Sequence, residues 1–187
     1  MRTFTLIVAM LIAIPAAAFA KTVTYYSPQT NLQTIDLHWL GMAQNSPDKV
    51  LYVAMYSFTD KPLARELIHL ARHGVKVYVY RDDRQMKDRT DITWMLQNVP
   101  GIQIRAKDDK GFWNIMHNKL FIIPGVVFRE GSANWSPSAE GASDYRGNSG
   151  HDEQQDNNAT YITAPDEIRQ AVQQFTHIWD RIGNIRY

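Results

Sequence analysis

Cysteine is absent from the sequence. Disulfide bonds, thiol nucleophiles and cysteine-ligated metals are therefore excluded, and packing and hydrogen bonds must hold the fold together. A large excess of charge of one sign is missing as well, because 20 lysines and arginines face 19 acidic residues, giving a net charge of +1. The whole chain thus lacks the strong electrostatic footprint of a typical nucleic-acid-binding domain.

Basic residues do cluster between positions 81 and 89, but three aspartates lie among them. Such a mixture of signs is typical of a solvated loop. We expect this stretch to be surface rather than a binding patch.

Long apolar runs are missing except near the start, where Met1 and Arg2 precede an apolar stretch at 6–14 that leads to Ala18-Phe19-Ala20. This pattern predicts a cleavable signal peptide at 1–20. No later run is long enough to favour a bilayer span. We expect a mature, soluble chain of residues 21–187, folded as one domain and located in the periplasm or secreted.

A strand, a helix and a second strand follow one another in the first half of the chain. Residues 49–58 form a nearly continuous β-branched and aromatic run, and residues 75–80 form another. Between them, residues 61–74 have helical periodicity, with Asp60 as the N-cap and Gly74 at the end. The order predicts a βαβ unit with parallel strands and a right-handed crossover.

The other segments continue the alternation of strands and helices. Strands are predicted at 22–26, 102–106, 117–123, 126–132 and 159–162, helices at 31–44, 91–98 and 166–183, and a polar loop at 141–158. This order indicates an α/β fold with a mixed β-sheet flanked by helices.

The segment HNKLFIIPGVVFREGSANWS (117–136) has two β-branched runs around Pro124-Gly125. Proline presets the first central position of a tight turn and glycine supplies positive φ at the second. A two-residue turn flanked by Ile123 and Val126 would place His117 opposite Ser132 and Lys119 opposite Glu130.

Polar groups should then emerge on one face of this hairpin, and the alternate positions on the other. The first set is His117, Lys119, Ser132 and Asn134, and the second is Leu120, Ile122, Val127 and Arg129. Each polar residue alone is more often a packed or surface residue, and Lys119 could simply pair with Glu130. Together, an imidazole, an ammonium, a hydroxyl and an amide suit a tetrahedral oxyanion such as phosphate.

The pair His117-x-Lys119, followed by Gly131-Ser132-x-Asn134, resembles the two-part signature of the phospholipase D superfamily. It is most similar to the small bacterial endonucleases that carry one motif per chain. The likeness extends to MYSFTD (55–60), to ARHGVKVYV (71–79) and to the closing helix with Trp179.

The resemblance implies a phosphodiesterase with that superfamily's fold. His117 would be the nucleophile that forms a phosphohistidine, or the partner acid, and Lys119 and Asn134 would hold the phosphate oxygens with Ser132 close by. Neither a metal ion nor a cofactor is implied. Because the motif occurs once, a homodimer with its two-fold axis through the site is implied as well.

Three positions depart from the family pattern. Pro124 stands where an aspartate is expected, Glu130 replaces a small residue before Gly131, and QDNN occupies the place of the acid that orients the histidine. Either Asp156 serves after a one-residue shift, which we favour, or Asn157 orients the ring without charge.

Three functions remain open on the sequence. The first is a nuclease that cleaves DNA or RNA with little sequence preference, and the second is a phospholipase that releases lipid headgroups. The third is a catalytically silent protein that binds nucleic acid or a partner, which the missing aspartate favours. Trp113, just upstream of His117, is either a substrate-stacking aromatic or a core residue.

Overall fold

The computed structural model describes residues 20–108, 110–111, 113–142 and 154–187. The predicted signal peptide, apart from Ala20, lies outside the described residues, as does most of the predicted polar loop at 141–158. No helix among the described residues is both long and apolar enough to cross a membrane.

One mixed sheet of eight strands organises the described chain, in the order β1-β7-β6-β5-β2-β3-β4-β8. The strands are β1 (Thr22–Ser27), β2 (Val50–Met55), β3 (Lys76–Asp82), β4 (Ile102–Lys107), β5 (Lys119–Ile123), β6 (Val127–Gly131), β7 (Asn157–Ile162) and β8 (Ile185–Arg186). Strands β2, β3 and β4 are parallel, and the other neighbours are antiparallel. The predicted mixed-sheet α/β class is confirmed.

Helices cover both faces of the sheet. They are α1 (Leu32–Gly41), α2 (Lys61–Arg72), α3 (Asp83–Met86), α4 (Pro137–Glu140) and α5 (Pro165–Trp179). One core cluster joins α1 and α2 to the sheet through Leu40, Leu67 and Phe121. The second joins α5 to the other face through Phe175 and Ile122. The result is a three-layer sandwich that buries apolar side chains on both sides of the sheet.

The βαβ unit forms as its local signals predict. Asp60 accepts a hydrogen bond from the Leu63 backbone at 3.0 Å, Pro62 lies in the first turn, and Gly74 adopts a φ of +88° after the helix. Strands β2 and β3 run parallel, with Val53 opposite Val79. The unit places the end of β2, at Met55, in the middle of the sheet.

The hairpin of β5 and β6 differs from its prediction by one residue. Phe121 lies opposite Arg129 and Ile123 opposite Val127, because Val126 belongs to the turn and donates its backbone hydrogen bond to Ile123. The predicted pairings of His117 with Ser132 and of Lys119 with Glu130 are therefore wrong.

This shift exchanges the faces of β6. Val127 and Arg129 lie on the Phe121 face, contrary to the prediction that grouped them with Leu120 and Ile122, and both are fully buried. Glu130 is exposed and pairs with Thr160 of β7. The Glu130 carboxylate therefore lies on the opposite face of the sheet from Lys119 and is not its partner.

Further expectations are corrected at element ends and in the charged segment. The helix expected at 91–98 is a short 3-10 turn at Thr93–Leu96, and the last helix ends at Trp179 rather than near 183. The stretch from 81 was expected to be a solvated loop, yet Arg81, Asp82 and Asp83 are almost fully buried. Strand β3 continues to Asp82, and the buried charge of Arg81 is balanced by an ion pair with Asp91.

Candidate active site

The segment that follows β2 gathers three of the predicted site residues, His117, Lys119 and Asn134. Tyr56 donates its backbone N–H to the carbonyl of Asn118 at 2.9 Å, which fixes the entry of β5 beside the end of β2. The His117 ring then meets the Tyr56 ring edge-on, with 4.6 Å between the ring centroids. His117 therefore has a fixed neighbour on one side and an exposed face on the other.

Lys119 lies deeper in the same place, with only 9% of its surface exposed. Its Nζ donates to the His117 carbonyl at 2.9 Å and lies 5.1 Å from the centre of the Tyr56 ring. Burial, and secondarily the charge of Arg129, lower the pKa of Lys119 to about 8. The ammonium is thus poorly solvated, a condition under which it gains from a bound anion.

His117 is shifted toward its neutral form. Burial is the main cause of its lowered pKa, the charge of Lys119 adds to it, and Asp82 acts in the opposite direction. A neutral imidazole has a lone pair available for attack, so the site favours the form that a nucleophile needs at neutral pH.

Asn134 completes this side of the site. Its Oδ1 accepts a hydrogen bond from the backbone N–H of Ser57 at 3.1 Å, which directs the amide nitrogen away from the Tyr56-Ser57 segment as a donor. His117, Lys119 and Asn134 therefore converge on two consecutive residues at the end of β2.

Ser132 is held from the opposite side, by β7. Its hydroxyl donates to Asn157 Oδ1 at 2.9 Å and accepts from the Asn158 backbone N–H at 3.0 Å. Gly131 allows β6 to approach β7 this closely, because a Cβ at position 131 would lie 2.2 Å from the carbonyl oxygen of Asn158. The φ of Gly131 is +154°. Ser132 is thus anchored to the asparagines of β7.

Asp156 is exposed and borders a shallow cleft with Ser132 and Asn157. Of the two candidates for the acid position, the structure brings Asn157 into contact with Ser132. The role predicted for Asp156 stays a prediction.

Three residues that the sequence did not suggest support the site. Tyr56 contacts both His117 and Lys119. Asp82 accepts from the Met116 backbone N–H at 2.8 Å and so fixes the residue before His117. Arg129, fully buried beside Asp36, donates to the carbonyls of Lys119 at 2.9 Å and Ala133 at 3.1 Å.

Within the described residues, no three histidine, aspartate or glutamate side chains are grouped so that they could hold a metal ion. What the site does offer an oxyanion is an ammonium, an amide and an imidazole. Fixed donors of this kind stabilise the charge on a phosphoryl group in transfer.

The fold and the site define a protein of the phospholipase D-like class. The family described as "Cardiolipin synthase, PLD-like domain" matches residues 40–179. The chain belongs to this family, and with it to the phospholipase D superfamily.

Two curated relatives are mitochondrial cardiolipin hydrolases. That of Xenopus laevis is 30% identical over 89 residues, which cover 48% of this chain and 40% of the relative. That of Chlamydomonas reinhardtii is 28% identical over 145 residues, which cover 77% of this chain and 56% of the relative. The chain thus spans about half the length of the curated relatives it matches.

Two solved structures have the same fold over their whole length. Nuc from Salmonella typhimurium, a phospholipase D family member, has a TM-score of 0.71 at 21% identity, with 90% of this chain and 98% of Nuc covered. NucT from Helicobacter pylori has a TM-score of 0.72 at 20% identity, with 90% and 99% covered. These similarities confirm the predicted fold of small, single-domain members of the superfamily.

Proposed function

We propose that this protein is a metal-independent phosphodiester hydrolase that acts through a phosphohistidine, with nucleic acid as its preferred substrate. The observation that carries the proposal is the convergence of His117, Lys119 and Asn134 on the end of β2. The substrate preference is supported by the likeness to the small bacterial endonucleases.

In the proposed reaction a ring nitrogen of His117 forms a bond to phosphorus while the bond from phosphorus to the leaving oxygen breaks. A second imidazole gives its proton to that oxygen. The same imidazole then takes a proton from water, whose oxygen attacks phosphorus and breaks the phosphorus–nitrogen bond. Lys119 and Asn134 stabilise the negative charge on the non-bridging oxygens throughout.

The second imidazole is proposed to be His117 of a second copy of the chain. The sequence contains the His-x-Lys pattern once, so one chain supplies one nucleophile. A closed two-fold dimer presents the same patch from both subunits and would bring the two histidines together.

The dimer can be tested by mixing subunits. Wild type and His117→Ala chains, unfolded and refolded together in equal amounts, should have about one quarter of the wild-type activity, because only wild-type pairs contain both histidines. Activity of about one half, as expected for independent sites, would refute a shared site.

The hydrolase itself can be tested with supercoiled plasmid in EDTA. Nicking should persist in the chelator and disappear in His117→Ala. His177→Ala is a matched control, because His177 is an exposed residue of α5. Nicking that requires added metal would contradict the mechanism, and nicking retained by His117→Ala would contradict the assignment of the nucleophile.

A second candidate substrate is a phospholipid, because the curated relatives are named cardiolipin hydrolases. The same phosphohistidine chemistry would release a lipid headgroup. Hydrolysis of cardiolipin vesicles with no cleavage of DNA or RNA would favour this alternative over the nuclease.

We also propose that the protein is exported to the periplasm or secreted, on the basis of the leader at 1–20. Fractionation of cells producing the full chain should find a product shortened by about twenty residues outside the cytoplasm. An uncleaved chain in the cytoplasm would contradict export.

A further inference from the structure

A cleft of about 220 Å³ opens directly beside His117. Its walls include Tyr80, Met116 and Asn118 together with two cationic side chains, Lys107 from the end of β4 and Arg181 from the turn after α5. The proposed reaction uses neither cation. Two cations beside the proposed nucleophile would favour binding of a negatively charged group of a ligand.

Lys107 and Arg181 line a cleft in which none of the described lining residues is acidic. Lys107 Nζ donates a hydrogen bond to the Ile115 carbonyl at 3.2 Å. Arg181 is exposed, and its charge opposes the burial that raises the pKa of Tyr80. The carboxylate of Asp82 is buried and accepts a hydrogen bond from the Met116 backbone N–H.

A second cavity, of about 360 Å³, is lined by the same two cations, Lys107 and Arg181. Lys110, Asn114 and Asn184 line this part. Among the described lining residues, Asp108 is acidic; its Oδ2 lies 3.1 Å from Lys110 Nζ, so its charge is balanced by a cation. Trp113, in the same segment, is 87% exposed, which decides against the core role considered for it.

We propose that this cleft is a flanking subsite in which Lys107 and Arg181 bind the phosphate next to the scissile one in single-stranded nucleic acid. This inference rests on the proposed nuclease function, and it specifies where the part of the strand next to the scissile phosphate binds. Cations placed at successive points along an open polar cleft match a polymer that repeats its charge. The exposed Trp113 offers a face on which a base can stack.

A lipid fits this cleft less well. An acyl chain could contact Ile115, Met116 and Ile178, but it would also lie beside two cations and two amides, which limits the gain from burying apolar surface. Ile182, fully exposed at the rim, is a further apolar side chain of the described lining that suits a membrane. Lipid is therefore kept as an outcome of the test.

The test compares a substrate that has one phosphate with one that has many. Bis(p-nitrophenyl) phosphate has no neighbouring phosphate, whereas a fluorescent single-stranded oligonucleotide of about ten nucleotides fills the cleft. Arg181→Gln is the primary variant, because Lys107 also contacts the segment before His117. Arg65→Gln, an exposed arginine of α2 on the other face of the sheet, is the matched control.

For Arg181→Gln we expect KM for the oligonucleotide to rise about five- to tenfold, with bis(p-nitrophenyl) phosphate turnover unchanged. The slope of log(kcat/KM) against log salt should fall in magnitude by about 0.7, the share of one phosphate contact on a single strand. Arg65→Gln should change neither quantity. Equal oligonucleotide KM and salt slope in wild type and Arg181→Gln would overturn the subsite.

Failure of the function and failure of the subsite remain distinguishable. A wild type inactive on both substrates would refute the proposed hydrolase, and fluorescence anisotropy of the same oligonucleotide on His117→Ala protein would still test the cleft. If the double variant His117→Ala/Arg181→Gln binds the oligonucleotide more weakly than His117→Ala, the subsite is supported. Equal binding by the two proteins overturns it. Impaired cleavage of cardiolipin vesicles with intact oligonucleotide cleavage would also overturn it, in favour of a lipid.

Discussion

Arg129 donates a hydrogen bond from Nη1 to the backbone carbonyl of Lys119 at 2.9 Å, and the same nitrogen reaches the Ala133 carbonyl at 3.1 Å. One buried guanidinium thus ties the strand that carries Lys119 to the segment that carries Asn134. Asp36, 3.4 Å from Arg129 and equally buried, supplies the balancing charge. This contact helps to set the spacing of Lys119 and Asn134, the two residues proposed to bind phosphate.

Replacing Arg129 with methionine should therefore destabilise the protein strongly. The Asp36 carboxylate would remain buried without its cation, which costs about 3–5 kcal/mol. Urea unfolding at fixed protein concentration measures the loss. The double variant Asp36→Asn/Arg129→Met should recover part of it, because the amide carries no charge. If the single and double variants are equally unstable, the ion pair is not the cause.

Gly131 and Gly125 form a matched pair in the same hairpin. Alanine at 131 would need a φ of +154° and would place its Cβ 2.2 Å from the Asn158 carbonyl, whereas alanine at 125 has open space and only a φ of +72° to adopt. We expect Gly131→Ala to lose about 3 kcal/mol or more of stability and Gly125→Ala about 1 kcal/mol.

Activity should separate the two glycine variants further. Gly131→Ala displaces Ser132 from the β7 asparagines, so the activity per folded molecule should fall, while Gly125→Ala lies at the far end of the hairpin and should keep wild-type turnover. Equal stability of the two variants would show that the close approach at Gly131 is easily relieved.

The central part of the fold could be predicted because its signals are local. The cap at Asp60, the stop at Gly74 and the β-branched runs on either side specify a βαβ unit without reference to the rest of the chain. The hairpin register could not be predicted, because Val126 is as suitable for a strand as for a turn. That one residue reverses the face of every side chain in β6.

The site divides in the same way. His117, Lys119 and Asn134 form a pattern visible along the chain, whereas Tyr56, Asp82 and Arg129 act through tertiary contacts. Tyr56 directly follows a buried strand and looks like any core aromatic in the sequence. Asp82 lies in a mixed-charge stretch that resembles a surface, and Arg129 was assigned to the wrong face by the register error.

The lowered pKa of Lys119 predicts a stability that depends on pH. Its folded-state pKa, about 8, is below the usual 10.5, so the unfolded chain holds the extra proton between these values. The penalty for burying the ammonium is complete below pH 8 and is relieved as the pH rises toward 10.5. Lys119→Met should thus be more stable than wild type at pH 7.

Urea unfolding of Lys119→Met and wild type between pH 7 and 10.5 tests this sign, and the stability difference should shrink as the pH rises. At pH 7 the variant should also lose about 10²- to 10³-fold in kcat, as expected when one donor to an oxyanion is removed. A variant less stable than wild type at pH 7 would show that the ammonium stabilises the fold rather than burdens it.

Asn157 and Asp156 offer two ways of orienting the site, and the structure joins only Asn157 to Ser132, at 2.9 Å. If the contact matters, Asn157→Ala frees the Ser132 hydroxyl and should lower kcat by about tenfold, whereas Asp156→Asn, at an exposed position, should change kcat by less than about twofold. If instead the Asp156 carboxylate orients His117, the order of the two losses in kcat is reversed. Asp156→Asn would then lose the greater activity and shift the acid limb of the pH profile to lower pH, because the carboxylate no longer favours the protonated imidazole. The pH dependence of kcat/KM for both variants beside wild type therefore decides which residue has taken the place of the family acid.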